Sequence, residues 1–289
     1  MIQTATLVVT THGWAKGKLW NSALGKNLVL WHGTPAKAIW GPNLPVPKFW
    51  VSSGPWETKY ISRPEVGLSK TEILSIGYPR WRYMEDINLP ADLETLDKRL
   101  QREKRGKKVA LLALTYEGID VFGHSLRALI QDLSEALESN GFLLAIRFHP
   151  NNILFGEHKP FEELFGDHVL NWSLPDTHET GIALRNTDLL ITDFSSIWVD
   201  YLRLSRPMVM LHWRGFPRTL SPLASLFPGI VVRDTDELAG LFRKARKGSP
   251  VFGVSAQQEK SYESSARELF GSDKDISKDS FVRQIRGLR

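Results

Sequence analysis

The chain of 289 residues is long enough for two domains of ordinary size, each with its own hydrophobic core. Hydrophobic residues make up 42% and charged residues 24% of the sequence, values that argue against wholesale disorder and against a fibrous repeat. The net charge of +5 suits an anionic partner such as a phosphate, a nucleic acid or a membrane surface. Because there is no cysteine, the sequence excludes disulfides, thiolate metal sites and cysteine nucleophiles.

The beginning of the sequence, residues 1–6, lacks the basic start and the long apolar stretch of a signal peptide. No apolar run approaches the roughly 20 residues that a membrane-spanning helix needs. We therefore expect a cytoplasmic protein.

Short apolar runs alternate with longer amphipathic stretches along the chain, a pattern typical of βαβ units in an α/β fold. A helix is predicted over 125–140, because it ends at Asn140-Gly141, and a second over 195–204. The apolar runs have the length and composition of buried parallel strands. They are residues 7–9, 28–31, 49–51, 73–76, 109–114, 143–147, 189–192, 208–211 and 230–232.

A polar stretch over 92–108 interrupts this alternation and predicts a linker or a connecting helix, so we place the domain boundary at residue 100. From Lys98 to Lys108, seven of eleven residues are Lys or Arg. Such a cluster is either the solvated face of a helix or a contact for an anionic membrane surface or a phosphate-bearing substrate.

Polar, turn-forming residues follow four of the predicted strands, and the carboxyl ends of strands are where open α/β sheets bind ligands. The first strand continues into His32, Gly33 and Thr34, with Lys37 close behind. A histidine at this position can act as a general base, because its proton equilibrium lies near neutral pH. The alternative is a structural histidine.

The second such segment has Arg147 and His149 on either side of Phe148, so both side chains project to the same side of the strand. Two potential cations at a strand end suit a phosphate site. The alternative is a buried arginine paired with an aspartate.

In the third segment, Thr192 and Asp193 end a strand, Ser195 and Ser196 begin a helix, and Asp200 follows one turn later. The serines either cap the helix or line a phosphate site at its amino terminus. The fourth segment, residues 76–80, is a strand followed by a tight turn that presents Arg80.

Together and in this order, these segments resemble the CDP-glycerol glycerophosphotransferase family of teichoic-acid and capsule enzymes, over about residues 7–240. The segments that carry the resemblance are 31–37, 77–80, 147–150 and 192–200, followed by Arg206-Pro207. The resemblance implies a GT-B-like α/β fold, in which two Rossmann-type domains with parallel sheets face a cleft. Residues 1–100 would form the acceptor-side domain, which is shortened. The second domain, residues 101–289, would bind the nucleotide donor.

The resemblance further implies that a glycerol-phosphate group passes from CDP-glycerol to a hydroxyl of a lipid-linked cell-wall or capsule polymer, with release of CMP. His32 and His149 would be catalytic. We expect no cofactor, no metal and no nucleic-acid partner. We also expect the protein to work at the anionic surface of the membrane. The residues expected to bind substrate are Gly33, Thr34, Lys37, Arg80, Arg147, Thr192, Asp193, Ser195, Ser196 and Asp200.

The sequence departs from the family pattern at three places. Arg82 stands where family members usually have an aspartate, residues 114–117 replace a Pro-Thr-x-Arg motif, and His212-Trp213 follows Arg206-Pro207. These departures keep two alternatives open. One is a GT-B glycosyltransferase that uses a nucleotide sugar, and the other is a non-catalytic relative that binds nucleotide phosphates or membranes.

Overall fold

In the computed structural model, the chain divides into two units. The described residues within Met1–Arg82 and Glu263–Arg289 form the first, and those within Tyr83–Tyr262 form the second. The predicted division at residue 100 lies instead inside a helix of the second unit, and the described residues that follow Tyr262 belong to the first unit. The structure describes residues 7–11, 27–31, 33–37, 47–85, 88–115, 117, 120–121, 124–213, 215, 220–246 and 255–271.

The described part of the first unit contains a parallel four-stranded sheet in the order β1-β2-β3-β4. Every residue of β3 is buried, as expected for an inner strand between two neighbours. The short helix α1, Pro55–Ile61, follows β3 and begins with a proline, which suits the first helical turn. The strands are β1 Val8–Thr10, β2 Asn27–Leu30, β3 Phe49–Ser52 and β4 Glu72–Ser75.

The second unit has a parallel six-stranded sheet in the order β12-β11-β10-β5-β8-β9. The chain runs from β5 outward to β9 and then returns to β10 on the other side of β5. The direction of winding therefore reverses between β5 and β10, the point at which open sheets of this type bind ligands. The strands are β5 Lys108–Ala113, β8 Phe142–Ile146, β9 Val169–Asn171, β10 Leu189–Thr192, β11 Met208–Leu211 and β12 Ile230–Val232, with a small hairpin of β6 Asp120–Val121 and β7 His124–Ser125.

Helices connect these strands, and their apolar positions explain how they pack. In α4, Leu129, Ile130, Leu133 and Leu137 are buried at helical spacing in the core of this unit. The helix is followed by Gly141 in a left-handed conformation (φ 78°), as the sequence predicts for a helix terminus. The helices after α1 are α2 Arg82–Glu85, α3 Ala91–Glu103, α4 Leu126–Glu138, α5 Pro150–Leu154, α6 Thr180–Arg185, α7 Ile197–Leu202, α8 Thr235–Arg246 and α9 Ala256–Phe270.

The basic cluster of residues 98–108 begins on α3, which buries Leu93, Leu96 and Leu100 and carries its charges outward. Most of these charges have acidic partners within the second unit. The ion pairs are Lys98 with Glu94 (2.5 Å), Arg99 with Glu103 (3.6 Å), Lys104 with Asp188 (3.1 Å) and Arg105 with Asp167 (2.7 Å). The cluster is therefore largely a salt-bridged surface of its own unit.

The α/β class and the two parallel sheets predicted from the sequence are confirmed. Each of the nine predicted strands matches an observed strand to within one residue at either end. Within the described residues, no helix is long and apolar enough to cross a membrane.

Candidate functional site

The carboxyl ends of β2, β3 and β4 bring two of the sequence motifs together in the first unit. The hydroxyl of Thr34, just past β2, donates to Ser53 Oγ, just past β3 (3.0 Å). Arg80, just past β4, donates from Nη1 to the carbonyl of Trp31 (3.3 Å). Parallel strands end at the same edge of a sheet, which is why segments more than 40 residues apart meet here.

Of the other residues predicted for this site, Gly33 is buried and Lys37 is half-buried. Arg80 lies with its guanidinium over the ring of Tyr78, 4.1 Å from the ring centre. His32, the predicted catalytic base, lies outside the described residues, and its role stays a prediction.

A buried carboxyl group that the sequence analysis did not single out lies at this edge of the sheet. Glu57, on α1, is 0% exposed and accepts hydrogen bonds from three groups: Trp50 Nε1 (3.1 Å), the backbone N–H of Ser53 (2.8 Å) and the hydroxyl of Tyr78 (2.7 and 2.9 Å). Burial raises the pKa of Glu57, and these hydrogen bonds oppose the rise. Helical spacing is the sequence pattern that could identify Glu57 as buried, because Glu57 shares the buried face of α1 with Tyr60 and Ile61.

At the switch point of the second unit, Asp193 links the ends of β5 and β10. Its two oxygens accept the backbone N–H (2.9 Å) and the hydroxyl (2.7 Å) of Thr115, and Oδ1 also accepts the N–H of Ser195 (3.1 Å). The hydroxyl of Thr192 donates to the carbonyl of Ala113 (2.6 Å). Both Thr192 and Asp193 are fully buried, so this arrangement favours an orienting role over direct contact with a ligand.

The two serines predicted to bind phosphate follow directly. Ser195 and Ser196 are half-buried between the end of β10 and the start of α7. Ser195 Oγ accepts the N–H of Ile197 at 3.4 Å, whereas Ser196, the N-cap residue of α7, makes no side-chain capping hydrogen bond. Asp200 is buried one turn into α7.

Arg147 follows β8 and holds the loop that comes after β9. Its Nη1 donates to the carbonyls of Trp172 (2.7 Å) and Thr177 (2.8 Å), and its Nη2 donates to the hydroxyl of Thr180 (2.9 Å). Burial lowers the pKa of Arg147 to about 10, and the charge of Glu179 opposes this shift. The side chain therefore stays cationic at neutral pH, and these three bonds leave its Nε hydrogen and one Nη2 hydrogen for other acceptors.

His149 begins α5 with its side chain as the cap. Its Nδ1 lies 3.2 Å from the backbone nitrogen of Asn151, which can only donate, so Nδ1 is an acceptor. In the neutral ring the proton is therefore on Nε2. This tautomer gives His149 a hydrogen-bond donor on the side of the ring away from the backbone.

Arg147 and His149 line the same cavity, at the carboxyl ends of β5 and β8. The cavity has a volume of about 310 Å³ and mostly apolar walls, a combination typical of small-molecule sites. Thr115, Asn152 and the acidic residue Glu157 add polar atoms to the lining. Among the residues that the structure describes, no group of three His, Asp or Glu side chains could hold a metal ion. The apolar part of the lining consists of Leu112, Leu114, Leu126, Ile146, Phe148, Pro160 and Phe161.

These observations define an α/β protein with two Rossmann-type sheets and polar sites at their carboxyl ends. A family model described as CDP-glycerol:poly(glycerophosphate) glycerophosphotransferase matches residues 1–251. The chain belongs to this family.

The chain is also similar to two polymerases in sequence and to one solved structure in fold. The teichoic acid poly(glycerol phosphate) polymerase of Bacillus spizizenii is 26% identical over 253 residues, covering 75% of this chain and 60% of that protein. The enzyme of the same description from Bacillus subtilis is 28% identical over 246 residues, covering 73% of this chain and 31% of that protein. The chain thus matches less than two thirds of the length of either relative. A structure of the wall teichoic acid polymerase TagF covers 90% of this chain and 68% of that chain, with a TM-score of 0.66 at 19% identity, and shows the same fold.

Proposed function

We propose that this protein transfers a glycerol-phosphate group from CDP-glycerol to a hydroxyl of a cell-wall polymer and releases CMP. The proposal rests on family membership and on one observation in particular: Arg147 and His149 line a single cavity. A cation and an N–H donor beside an apolar cavity suit a ligand that has both a phosphate and a nucleoside.

The donor would bind in the second unit, with its nucleoside in the cavity and its diphosphate near the switch point. Arg147 and the Nε2 hydrogen of His149 would contact phosphate oxygens, and Ser195 and Ser196 would add hydrogen bonds from the end of β10. Thr192 and Asp193 would hold these loops in place, and Asp200 would support α7.

In the reaction, the oxygen of the acceptor hydroxyl attacks the phosphorus that carries the glycerol. The bond between that phosphorus and the oxygen bridging the two phosphates breaks, and CMP leaves with the bridging oxygen. The proton of the hydroxyl passes to His32. Arg147 and His149 stabilise the negative charge that develops on the phosphate and on the departing CMP.

On the acceptor side, the edge of the first sheet would bind the polymer end. Gly33 allows a close approach to the backbone, Thr34 and Lys37 add polar groups from the same motif as His32, and Arg80 lies beside this motif. The guanidinium of Arg80 would attract the phosphates of a poly(glycerol phosphate) or lipid diphosphate acceptor.

We further propose that the protein works at the cytoplasmic face of the membrane, where a lipid-linked acceptor would be. Within the described part of the chain, the exposed residues Arg102, Lys107 and Lys108 of the basic cluster have no ion-pair partner. These charges, rather than the salt-bridged remainder of the cluster, would contact anionic lipid headgroups.

Release of CMP from CDP-glycerol, measured with and without a prenyl-diphosphate-linked acceptor, tests the proposal. We expect acceptor-dependent release by the wild type and a rate lower by about 10² to 10⁴ for His32→Ala, because a general base contributes mainly to the transition state. Isothermal titration should give a similar affinity for CDP-glycerol in both.

The matched control is His168→Ala, since His168 is exposed at the amino end of β9, away from the predicted site. It should leave the rate unchanged. Transfer from a nucleotide sugar without transfer from CDP-glycerol would establish the glycosyltransferase alternative instead. Near-normal turnover by His32→Ala would exclude His32 as the base.

A further inference from the structure

We infer that Glu57 is a positioning residue for the acceptor side, because three chains of contacts run from its carboxyl group to the two ends of the segment that carries His32. The inference rests on the proposed function, in which His32 is the base. It adds a buried residue of α1 that none of the four sequence motifs contains.

The first chain of contacts runs through Ser53 to the end of the segment at Thr34. Oε2 of Glu57 accepts the backbone N–H of Ser53 at 2.8 Å. Ser53 Oγ in turn accepts the hydroxyl of Thr34 at 3.0 Å. All three side chains are at most 3% exposed, so water does not compete for these bonds.

The second chain runs through Tyr78 and Arg80 to the other end of the segment, at Trp31. The Tyr78 hydroxyl donates to the carboxyl group of Glu57, and the Tyr78 ring lies under the guanidinium of Arg80 at 4.1 Å. Arg80 then donates to the carbonyl of Trp31 at 3.3 Å. The hydrogen bond of Glu57 therefore fixes the aromatic surface on which Arg80 lies.

The third chain runs through Trp50, whose Nε1 donates to Oε1 of Glu57 at 3.1 Å. The ring of Trp50 stacks on that of Trp31, with ring centres 5.2 Å apart. Trp31 therefore contacts both Arg80 and Trp50, and Thr34 contacts Ser53. One carboxyl group is thus linked by contacts to Trp31 and Thr34, which flank His32 in the sequence.

The geometry requires two acceptor oxygens at this position. The two N–H groups of Trp50 and Ser53 bind different oxygens, and neither group can accept a hydrogen bond. In a Glu57→Gln variant, the amide NH₂ would face one of these N–H groups, donor against donor. The substitution therefore preserves the size of the side chain while it disturbs the hydrogen bonds and removes the ionisable group.

The experiment compares Glu57→Gln with Glu65→Gln, the same chemical change at an exposed position of the same unit. With folded protein well below its melting temperature, we expect Glu57→Gln to lower kcat for CMP release by about 10- to 100-fold, a loss typical of a misplaced catalytic group. The affinity for CDP-glycerol should stay within about twofold of the wild type, and Glu65→Gln should match the wild type in both respects.

A double-mutant cycle with His32→Ala separates positioning from a general loss of structure. If Glu57 acts through His32, adding Glu57→Gln to His32→Ala should cause little further loss. An additive loss, or a wild-type kcat for folded Glu57→Gln, would overturn the inference. Should Glu57→Gln fail to fold, Tyr78→Phe and Ser53→Ala remove single hydroxyls of the first two chains and must show the same non-additivity.

Amide hydrogen exchange gives a readout that does not need turnover. Glu57→Gln should speed exchange in the peptide over 33–37 by about tenfold, because the constraint on Thr34 is lost. Unchanged exchange would overturn the inference. If the wild type releases no CMP while exchange rises in the variant, the proposed function fails and the positioning of the segment by Glu57 stands.

Discussion

Thr115 and Asp193 join the ends of two strands between which the winding of the six-stranded sheet reverses. Thr115 donates both its backbone N–H and its hydroxyl to the two carboxyl oxygens of Asp193, at 2.9 and 2.7 Å. Both residues are buried, and Asp193 also binds the backbone of Ser195. The relationship fixes the loop after β5 relative to the loop that carries the predicted phosphate-binding serines.

Two substitutions at Asp193 test this role. Asp193→Ala should lower the free energy of unfolding by about 3 kcal/mol, because it leaves buried N–H and O–H donors without acceptors. Asp193→Asn should cost only about 1 kcal/mol, since its carbonyl can still accept the two N–H bonds while the hydroxyl of Thr115 reverses its direction. Urea denaturation measures both values. Equal effects of the two variants would contradict the proposed hydrogen-bonding role.

Arg147 provides a second test, because it both holds a loop and lines the cavity. Arg147→Ala should weaken binding of CDP-glycerol by about 1.5–3 kcal/mol, the range for a hydrogen bond to a charged group, and should also lower stability. Arg147→Lys keeps the charge but cannot bind the carbonyls of Trp172 and Thr177 and a phosphate together. Compared with Arg147→Ala, the Arg147→Lys variant should therefore regain part of the lost affinity for CDP-glycerol. It should regain a smaller part of the lost free energy of unfolding.

Isothermal titration and urea denaturation give the two quantities separately. An Arg147→Ala variant with reduced stability and unchanged affinity for CDP-glycerol would assign Arg147 to the loop alone. The donor would then have to bind elsewhere.

The fold and part of the site follow from local sequence patterns. The parallel strands are mostly short apolar runs, so nine of them could be located from the sequence. The expectation that all nine are buried is wrong for β1 and β4, which contain no buried residue. The strand β9 could not, because its buried residues are only Val169 and Leu170 within a polar stretch. The motifs at the carboxyl ends of β2 and β4 were expected to lie near a site, and the contact between Arg80 and Trp31 brings them together.

The contacts that organise the site could not be predicted in the same way, because they join residues that are distant in sequence. Asp193 and Thr115 are 78 residues apart, and Glu57 and Tyr78 are 21 apart. Single-sequence patterns identify a residue's face on its own strand or helix, whereas the partner of a buried polar group depends on tertiary packing. The sequence therefore predicts Asp193 as a site residue without its partner, and it does not predict Glu57.

The buried carboxyl group of Glu57 should give the stability a pH dependence of known sign. Burial raises its pKa above the ordinary value of 4.5, so the folded state binds a proton more tightly than the unfolded state. The contribution of Glu57 to stability is therefore fully present below about pH 4.5 and is lost as the pH rises through the folded-state pKa.

Glu57→Gln removes this titration. The free energy of unfolding of the wild type minus that of the variant should thus decrease as the pH rises through that window. Urea denaturation of both proteins at a series of pH values measures the difference, and Glu65→Gln, the same chemical change at an exposed position, is the control. A difference that increases with pH would mean that the hydrogen bonds to Glu57 outweigh its desolvation.

The last prediction concerns the membrane surface. Four charges of the basic cluster have acidic partners: Lys98, Arg99, Lys104 and Arg105. Its other three charges form no ion pair with any residue that the structure describes, so they would contribute most of the attraction to an anionic surface. Each charge near an anionic membrane contributes about 1 kcal/mol, so Arg102, Lys107 and Lys108 together would raise binding by roughly a hundredfold. The attraction should fade in high salt, because the Debye length falls from about 8 Å at physiological ionic strength to about 3 Å at 1 M.

Sedimentation with vesicles that contain anionic lipid tests this directly. Changing Arg102, Lys107 and Lys108 to Gln should abolish salt-sensitive binding, because no other unpaired charges of the cluster remain to contact the headgroups. Changing the exposed residues Lys59, Lys70 and Lys260 to Gln removes the same net charge elsewhere and should leave most of the binding intact. If both triple variants lose binding equally, net charge rather than this cluster governs the interaction. If the wild type binds neither anionic nor neutral vesicles, the cluster is a solvated, salt-bridged surface of the second unit and the membrane proposal is wrong.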